Sequence, residues 1–199
     1  MLKADVSAAI KALKEGKVIV YPTDTLYGLG ADIYNLSAIR KVFEIKKRPT
    51  NMPLSIAVSN YDEIKNNAYL NDTAKILINS FLPGKLTLIL KKKSLVSDLI
   101  TADRNKVAIR IPDNKIALEI ISKFGPLTAT SANIHGKKTP HIISDIIMQF
   151  KKEDISVYLD DGKLAGEPST IVDASADKIK IIREGSISNK DLMDAIKNG

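Results

Sequence analysis

The sequence predicts an α/β or α+β fold built around a mixed β-sheet. Strand-like and helix-like hydrophobic patterns alternate along most of the chain, and at least six segments have the composition of strands. Interleaving of this kind places helices against a sheet. The last third departs from the alternation, because three strand-like segments follow one another there. This departure argues against a purely parallel, doubly wound sheet.

The first half of the chain begins with an amphipathic helix. Apolar residues recur at helical spacing from Val6 to Leu13, with Asp5 as the predicted N-cap and Gly16 as the predicted C-cap. A buried strand follows at residues 17–22. The further elements predicted in this half are a helix that begins at Ser37 and carries Lys46, a strand at 53–58, a helix from Asp72 to Leu82 and strands at 85–90 and 106–112.

The second half has clear helix-start signals at both ends. Asp113 or Asn114 caps a helix that runs to Phe124, and Ser188 with Asp191 approximates a capping box for the last helix. Between them we predict a strand that runs into a loop at 126–133, a helix at 141–150 and short strands at 156–162, 169–175 and 178–185.

The composition is that of a folded protein of the cytoplasm. The 199 residues are 44% hydrophobic and 27% charged, and no apolar run approaches the ~20 residues that a membrane span needs. The amphipathic N-terminus lacks the apolar core of a signal peptide. We therefore expect a cytoplasmic protein with no membrane association. The absence of cysteine excludes thiolate catalysis, disulfides and cysteine metal sites, and two histidines are too few for a histidine-rich one.

The net charge is +7 at pH 7 and the isoelectric point is near 9.4. A lysine-rich solvated surface explains this charge, and so does a polyanionic partner such as a nucleotide or RNA. The short lysine clusters have no aromatic residues interleaved with them, so they do not form a recognisable RNA-binding module. Both interpretations stay open on charge alone.

A loop with hydroxyl groups and glycines is predicted after the first strand. Thr23, Asp24 and Thr25 follow the strand, and Gly28 and Gly30 come just after them. Loops at strand ends line ligand crevices in sheets of this kind. The glycine spacing differs from the dinucleotide-binding fingerprint. A structural turn and a ligand-binding loop therefore both stay open.

Two cations at the end of the second helix break its apolar pattern. Lys46 occupies the next position of the stripe formed by Ile39, Val42 and Phe43, and Arg48 precedes the proline before which the helix must end. Three explanations account for these cations: a lysine stem that snorkels to water, a favourable interaction with the helix dipole, or an anionic ligand.

Arg110 lies on the less apolar face of its predicted strand. The β-branched residues of the strand at 106–112 share the other face. The arginine is either a surface residue or a fork that binds a carboxylate.

Polar groups follow the strand that begins at residue 126. The hydroxyl and amide groups there, including Ser131 and Asn133, favour a cradle for phosphate or another polar ligand. Ser131 and His135 as nucleophile and base are a weak alternative, because no elbow glycines flank the serine and no orienting acid is evident. An enzyme with these groups would act by positioning and by neutralising charge, as in displacement at phosphorus.

Seven segments occur in the order and spacing of the YrdC family. Lys46-x-Arg48 together with Ser131-x-Asn133 resembles the branch of single-domain threonylcarbamoyl-AMP synthases. The resemblance implies one YrdC-like domain over residues 1–199, without the extra C-terminal domain of longer members, and a twisted mixed sheet around a large basic cavity. The segments, which span about residues 5 to 187, are YPTDTLYGLGAD, EIKKRPTNMPLSI, PGKLTLIL, VAIRIPDN, TSANIHG, GEPSTIVD and IIREGSI.

This resemblance implies a reaction of three small-molecule substrates. L-Threonine and bicarbonate form a carbamate, which attacks the α-phosphorus of ATP to give threonylcarbamoyl-AMP and pyrophosphate. Mg²⁺ accompanies the ATP, and no metal is held by the protein itself. A separate transferase then passes the threonylcarbamoyl group to the adenosine next to the anticodon in certain tRNAs.

The resemblance also implies roles for individual residues. Lys46 and Arg48 would be catalytic and would bind ATP. Met52 and Lys106 match nucleotide-contact positions, but a polar residue and a threonine are usual there. The other contacts implied are Ser131, Asn133, Thr139 and Arg183 for ATP, and Thr25, Arg110, Ala129 and Ser169 for threonine.

Other functions are compatible with the same motifs. One is a paralogue of the same fold without this activity, or a carbamoyl-transfer relative of the kind found in hydrogenase maturation. Another is a module that binds tRNA or double-stranded RNA in the basic cavity. For the synthase we expect weak, salt-dependent binding of tRNA or double-stranded RNA without sequence preference.

Overall fold

The protein folds as helices packed on two mixed β-sheets, which confirms the predicted α/β class. A computed structural model describes residues 5–164 and 166–199. The helices in this part are α1 (Val6–Lys14), α2 (Leu36–Lys46), α3 (Tyr61–Asn67), α4 (Asp72–Phe81), α5 (Asp98–Thr101), α6 (Lys115–Phe124), α7 (Ile143–Gln149) and α8 (Asn189–Asn198). The strands are β1 (Ile19–Tyr21), β2 (Gly28–Gly30), β3 (Ser55–Ala57), β4 (Ala68–Tyr69), β5 (Leu86–Lys92), β6 (Lys106–Arg110), β7 (Leu127–Thr128), β8 (Thr130–Ser131), β9 (Val157–Tyr158), β10 (Thr170–Asp173) and β11 (Lys180–Arg183).

The strands divide between two sheets rather than forming one. The smaller sheet has the order β8-β2-β1-β9, and the larger has the order β11-β10-β5-β6-β3-β7 with β4 paired to one end of β5. An isolated bridge between Asp32 and Leu127 joins the two sheets. The three successive strands of the last third end up in different places, because β9 pairs with β1 while β10 and β11 extend the larger sheet.

The alternation of side chains along β5 and β6 separates the core from a cavity. Leu86, Leu88 and Leu90 point into the main core, where α2, α4 and α8 cover the larger sheet. Val107 and Ile109 of β6 face the same core. The opposite face of both strands lines an open cavity. A second core cluster packs α1 and α6 against β1.

Several helices have the capping residues that the sequence predicts. The Asp5 carboxylate accepts from the Ala8 backbone, Asn114 caps α6, and Ser188 with Asp191 forms a complete capping box. Gly16 adopts φ +71° just after α1. These four signals were readable because each needs only neighbours in sequence.

Four elements were not predicted from the sequence. Helices α3 and α5 and strand β4 are short, and β2 was interpreted as part of a loop. The glycines of β2 are explained by packing, because a Cβ on Gly30 would approach the Tyr21 ring to 2.9 Å. No helix in the described ranges is long and apolar enough to cross a membrane.

Candidate active site

A cavity of about 640 Å³ lies between the facing surfaces of the two sheets. Strands of the larger sheet contribute Thr87, Ala108 and Arg110, and the smaller sheet contributes Gly28 and Ser131. The predicted site residues that line this cavity are Thr25, Arg48, Arg110, Ala129, Ser131, Thr139, Ser169 and Arg183. The fold therefore brings together residues from almost the whole length of the chain.

The cavity wall is cationic. Its described lining residues include no aspartate or glutamate, whereas Arg48, Arg104, Arg110, Lys138 and Arg183 all reach it. Arg110 is the one among these five that forms an ion pair within the described part of the chain. A wall with four uncompensated cations favours an anionic ligand.

Arg110 is held rigidly at the end of β6. Its side chain is 8% exposed and pairs with Asp24 at 2.5 Å, and it also donates to Thr25 Oγ1 at 2.9 Å and to the Gly84 carbonyl at 3.3 Å. The Asp24 carboxylate is equally buried, with 9% exposure. Arg110 is therefore not a surface residue, and its guanidinium reaches the cavity from a fixed position.

Lys46 lies behind the cavity wall rather than in it. The side chain is only 2% exposed, which rules out snorkelling. Its ammonium donates to the Ser131 carbonyl at 2.5 Å, the Asn133 carbonyl at 2.9 Å and Asn133 Oδ1 at 2.9 Å. An ammonium has three hydrogens, so these acceptors use all of them. Desolvation, and then the charge of Arg48, lowers the pKa of Lys46 to about 7.

The Ser131–Asn133 segment is organised by the same network. The Ser131 hydroxyl donates to Asn133 Oδ1 at 2.6 Å, and the Asn133 amide donates to the carbonyls of Ile134 and Lys137. Ser131 is thus bonded to an amide rather than to His135, whose side chain is exposed. This geometry removes the nucleophile–base interpretation of Ser131.

Arg48 is placed by the way α2 ends. The helix stops at Lys46, and Lys47 takes a left-handed conformation with φ 51°. The chain then turns so that Arg48 donates to the Met52 carbonyl at 3.2 Å and to the Pro53 carbonyl at 2.9 Å. Met52 therefore contacts Arg48 through its backbone and does not itself line the cavity.

Ser169 accepts hydrogen bonds from Arg183 and lies beside Thr87. Its carbonyl accepts from Arg183 Nη2 at 2.8 Å and Nε at 3.2 Å, and its hydroxyl lies 2.8 Å from Thr87 Oγ1. Partial burial, and then the charge of Arg110, lowers the pKa of Arg183. Arg183 and Arg110 are thus close enough to feel each other's charge, with Ser169 beside Arg183.

Lys106 takes a different position. It shares a face of β6 with Arg110 but lies at the other end of the strand, where it pairs with Asp173 at 2.8 Å. It lines a separate pocket with Tyr69 and Lys91 rather than the main cavity. Lys106 therefore does not line the main cavity, and its position does not support the nucleotide contact that the family resemblance implies.

Sequence reasoning missed several cavity residues, among them two cations and a buried threonine. Arg104 and Lys138 sit in segments without a periodic pattern, so nothing marked them as facing a site. Thr87 was detectable in principle, because β5 was predicted and Thr87 lies on the face opposite its leucines.

Comparison with known proteins gives consistent results. The sequence model of the Sua5, YciO and YrdC proteins, described as "Telomere recombination", matches residues 11–185. A relative from Methanocaldococcus jannaschii named putative threonylcarbamoyl-AMP synthase is 46% identical over 178 residues, which cover 89% of this chain and 84% of that protein.

Solved structures agree with the sequence relatives. Sua5 of Pyrococcus abyssi in complex with L-threonine superposes with a TM-score of 0.92 at 32% identity, covering 96% of this chain and 57% of that one. YciO of E. coli superposes with a TM-score of 0.85 at 26% identity, covering 94% and 92%. This chain thus spans only a little more than half the length of the P. abyssi protein.

Proposed function

The chain belongs to the Sua5/YciO/YrdC family, and we propose that it makes threonylcarbamoyl-AMP and pyrophosphate from L-threonine, bicarbonate and ATP. The observation that carries this proposal is the cavity, whose described lining residues combine five cations with hydroxyl groups and include no carboxylate. Such a wall suits a ligand with several negative charges, which ATP and a carbamate supply together.

The reaction has two steps with different demands. The threonine amine first combines with bicarbonate, losing water, to give a carbamate. A carbamate oxygen then attacks the α-phosphorus of ATP, the bond to the β-phosphate oxygen breaks, and pyrophosphate leaves. Positioning and charge neutralisation are the main tasks of an enzyme in such a displacement.

We assign threonine to the part of the cavity around Arg110. Thr25, Arg110 and Ser169 present hydroxyl and guanidinium donors there, and Ala129 adds a small side chain. A guanidinium fork matches a carboxylate in shape as well as in charge. The P. abyssi Sua5 structure in complex with L-threonine supports an amino-acid site in this fold.

We assign the nucleotide to the part of the cavity around Arg48, Ser131, Thr139 and Arg183. Arg48 and Arg183 have no carboxylate partner in the described ranges, so their charge is available to phosphate oxygens. Lys46 and Asn133 support this region from behind, through the network that fixes Ser131. Their contribution is to hold the cavity wall in place as charge develops on pyrophosphate.

Mg²⁺ belongs to this proposal as a companion of ATP. Bound to the triphosphate, it would neutralise part of the charge of the phosphate oxygens. Among the described residues no group of three or more acidic or histidine side chains could hold a metal ion, and the lining offers cations and hydroxyls instead. These residues fit a metal that arrives with ATP.

We propose that a second enzyme uses the product in the cytoplasm. Threonylcarbamoyl-AMP is a mixed anhydride that water destroys, so a transferase must consume it promptly. We propose that a threonylcarbamoyl transferase acting on the adenosine next to the anticodon of tRNA takes this role. Binding of tRNA by this chain itself would be weak, through exposed lysines.

A product assay tests the proposal. Purified protein is incubated with ATP, Mg²⁺, threonine and bicarbonate, and each component is omitted in turn. We expect pyrophosphate only in the complete mixture, and serine to be a poorer substrate because it lacks a methyl contact worth ~1–3 kcal/mol. Pyrophosphate release without threonine would point to a paralogue with another activity.

A further inference from the structure

Thr87 is a polar residue in the middle of the proposed threonine site. It lies on the cavity face of β5 and is 3% exposed. Its neighbours on the two adjacent strands follow from the strand pairing. Ile171 of β10 pairs with Thr87, and Leu88, the next residue of β5, pairs with Ile109 of β6. Because β5 and β6 are antiparallel, Thr87 lies beside Arg110, the residue directly after Ile109. Its neighbour on the other side is Ile171.

The hydroxyl of Thr87 forms a pair with that of Ser169. The two oxygens are 2.8 Å apart and both side chains are buried. Two hydroxyl groups carry two hydrogens, and the bond between them uses one. In the described part of the chain neither oxygen donates to another acceptor, and the remaining contact is Arg183 Nη2 donating to Ser169 Oγ at 3.4 Å. One hydroxyl hydrogen of the pair is left over.

The surroundings of this pair indicate which acceptor the unused hydroxyl hydrogen can bond. It lies beside Arg110, where an anionic ligand gains most from donors, and it faces a cavity without carboxylates in its described lining. A buried hydroxyl hydrogen that has no acceptor is unfavourable, and a ligand oxygen would satisfy it. A carboxylate held by the Arg110 fork supplies such an oxygen.

We propose that Thr87 is a further residue of the threonine site, where it and Ser169 together present one hydroxyl hydrogen to the carboxylate held by Arg110. This inference rests on the proposed function. It adds to the site a hydroxyl that the resemblance did not include, and it explains why the cavity face of β5, opposite its leucines, carries a buried polar residue. The role is the same whichever of the two hydroxyls makes the outward bond, because each orients the other.

Substitutions at Thr87 separate the hydroxyl from the shape of the side chain. Thr87→Val keeps the volume and removes the oxygen, and Thr87→Ser keeps the oxygen and removes the methyl group. Threonine binding to the intact chain is measured by isothermal titration calorimetry, and the KM values for threonine and ATP by pyrophosphate release. Thr101→Val is the matched control, because Thr101 is buried outside the cavity and its hydroxyl makes one 3.4 Å bond to the Asp98 carbonyl.

We expect Thr87→Val to weaken threonine binding about 10-fold, the size of losing one hydrogen bond to a charged group, with the KM for ATP within about 2-fold of the parent value. Thr87→Ser should bind threonine nearly as well as the parent chain, and Thr101→Val should be unchanged. Equal threonine affinity for Thr87→Val and the parent, or a parallel loss for threonine and ATP, would overturn the inference. If instead the unsubstituted chain releases no threonine-dependent pyrophosphate, it is the proposed function that fails.

Discussion

The Lys46 ammonium lies 2.9 Å from Asn133 Oδ1, an oxygen that also accepts the Ser131 hydroxyl at 2.6 Å. Two parts of the chain that are more than 80 residues apart are joined by this contact. A cation therefore stands on the apolar stripe of α2 because it has buried oxygen acceptors there. Its link to the cavity runs through Ser131.

Loss of the Lys46 ammonium should impair catalysis more than substrate binding. Lys46→Met keeps most of the stem and removes the donor that Lys46 supplies to three oxygen acceptors, so the Ser131–Asn133 segment loses its support. We expect kcat to fall about 100-fold, the size seen when one well-placed electrostatic group is removed. The measurement is steady-state pyrophosphate release. Lys47→Met is the matched control, because the Lys47 side chain is 63% exposed, and its kcat should stay near the parent value. A kcat of Lys46→Met equal to that of the control would contradict this role.

The affinity for ATP should fall as the pH rises above about 7. The pKa of Lys46 is lowered from 10.5 to about 7, first by desolvation and then by Arg48, so the free protein loses this proton across neutral pH. A neutral amine has two hydrogens for three acceptors and no charge to favour an anion. Bound triphosphate favours the ammonium, so affinity and protonation are linked. Calorimetric titrations with ATP between pH 6 and 9 should show this decline in the parent chain and a flatter profile in Lys46→Met; identical profiles would refute it.

Arg110→Ala should cost stability as well as threonine affinity. Removing the guanidinium leaves the buried Asp24 carboxylate unpaired, which lowers the free energy of unfolding by about 3–5 kcal/mol. Adding Asp24→Asn should recover most of that loss without recovering threonine binding. Arg110→Lys should recover threonine binding only in part, because an ammonium lacks the bidentate fork. Urea unfolding and the KM for threonine are the two measurements, and a double variant that binds threonine normally would contradict the assignment.

Binding of tRNA should be weak and governed by salt. Pairing of β4 with β5 places the exposed Tyr69 opposite Lys91, and the Lys93 ammonium lies 5.4 Å from the centre of the Tyr69 ring. The fold thus supplies an aromatic beside a lysine cluster, which the sequence order concealed. A single exposed ring is a small platform, so we expect affinity to drop at least ~10-fold between 50 and 200 mM salt without sequence preference. Filter binding with matched tRNA and unrelated RNA tests this; selective binding that survives high salt would contradict it.

The parts of the fold that depend on local patterns were predictable. Alternation along β6 assigned the two faces of that strand, including the face that carries Arg110. Lys46 interrupts the apolar stripe of α2, which marked it as an unusual residue. The pattern did not predict its hydrogen-bond partners. Its acceptors at Ser131 and Asn133 come from a distant segment, and no local rule encodes that meeting.

Residues outside a periodic pattern could not be assigned to the cavity from the sequence. Arg104 and Lys138 look like ordinary surface cations until the sheets fold around the cavity. The ion pair of Arg110 with Asp24 joins segments 86 residues apart, and the sequence placed Asp24 only in a loop of uncertain purpose. The family resemblance supplied only the role of Arg110 as an expectation, because a family match carries information about tertiary contacts that one sequence lacks; Asp24, Arg104 and Lys138 were not among the residues that it implied.

The central claim is that this cavity joins threonine, carbon dioxide in the form of bicarbonate, and the AMP part of ATP in one product. The most direct measurement is mass spectrometry of the product formed by the purified chain with ¹³C-labelled bicarbonate, threonine and MgATP. We expect threonylcarbamoyl-AMP that carries one labelled carbon, formed together with pyrophosphate and greatly reduced in Lys46→Met. Pyrophosphate without a labelled threonine adduct of AMP, or no turnover in a folded chain that binds ATP, would contradict it.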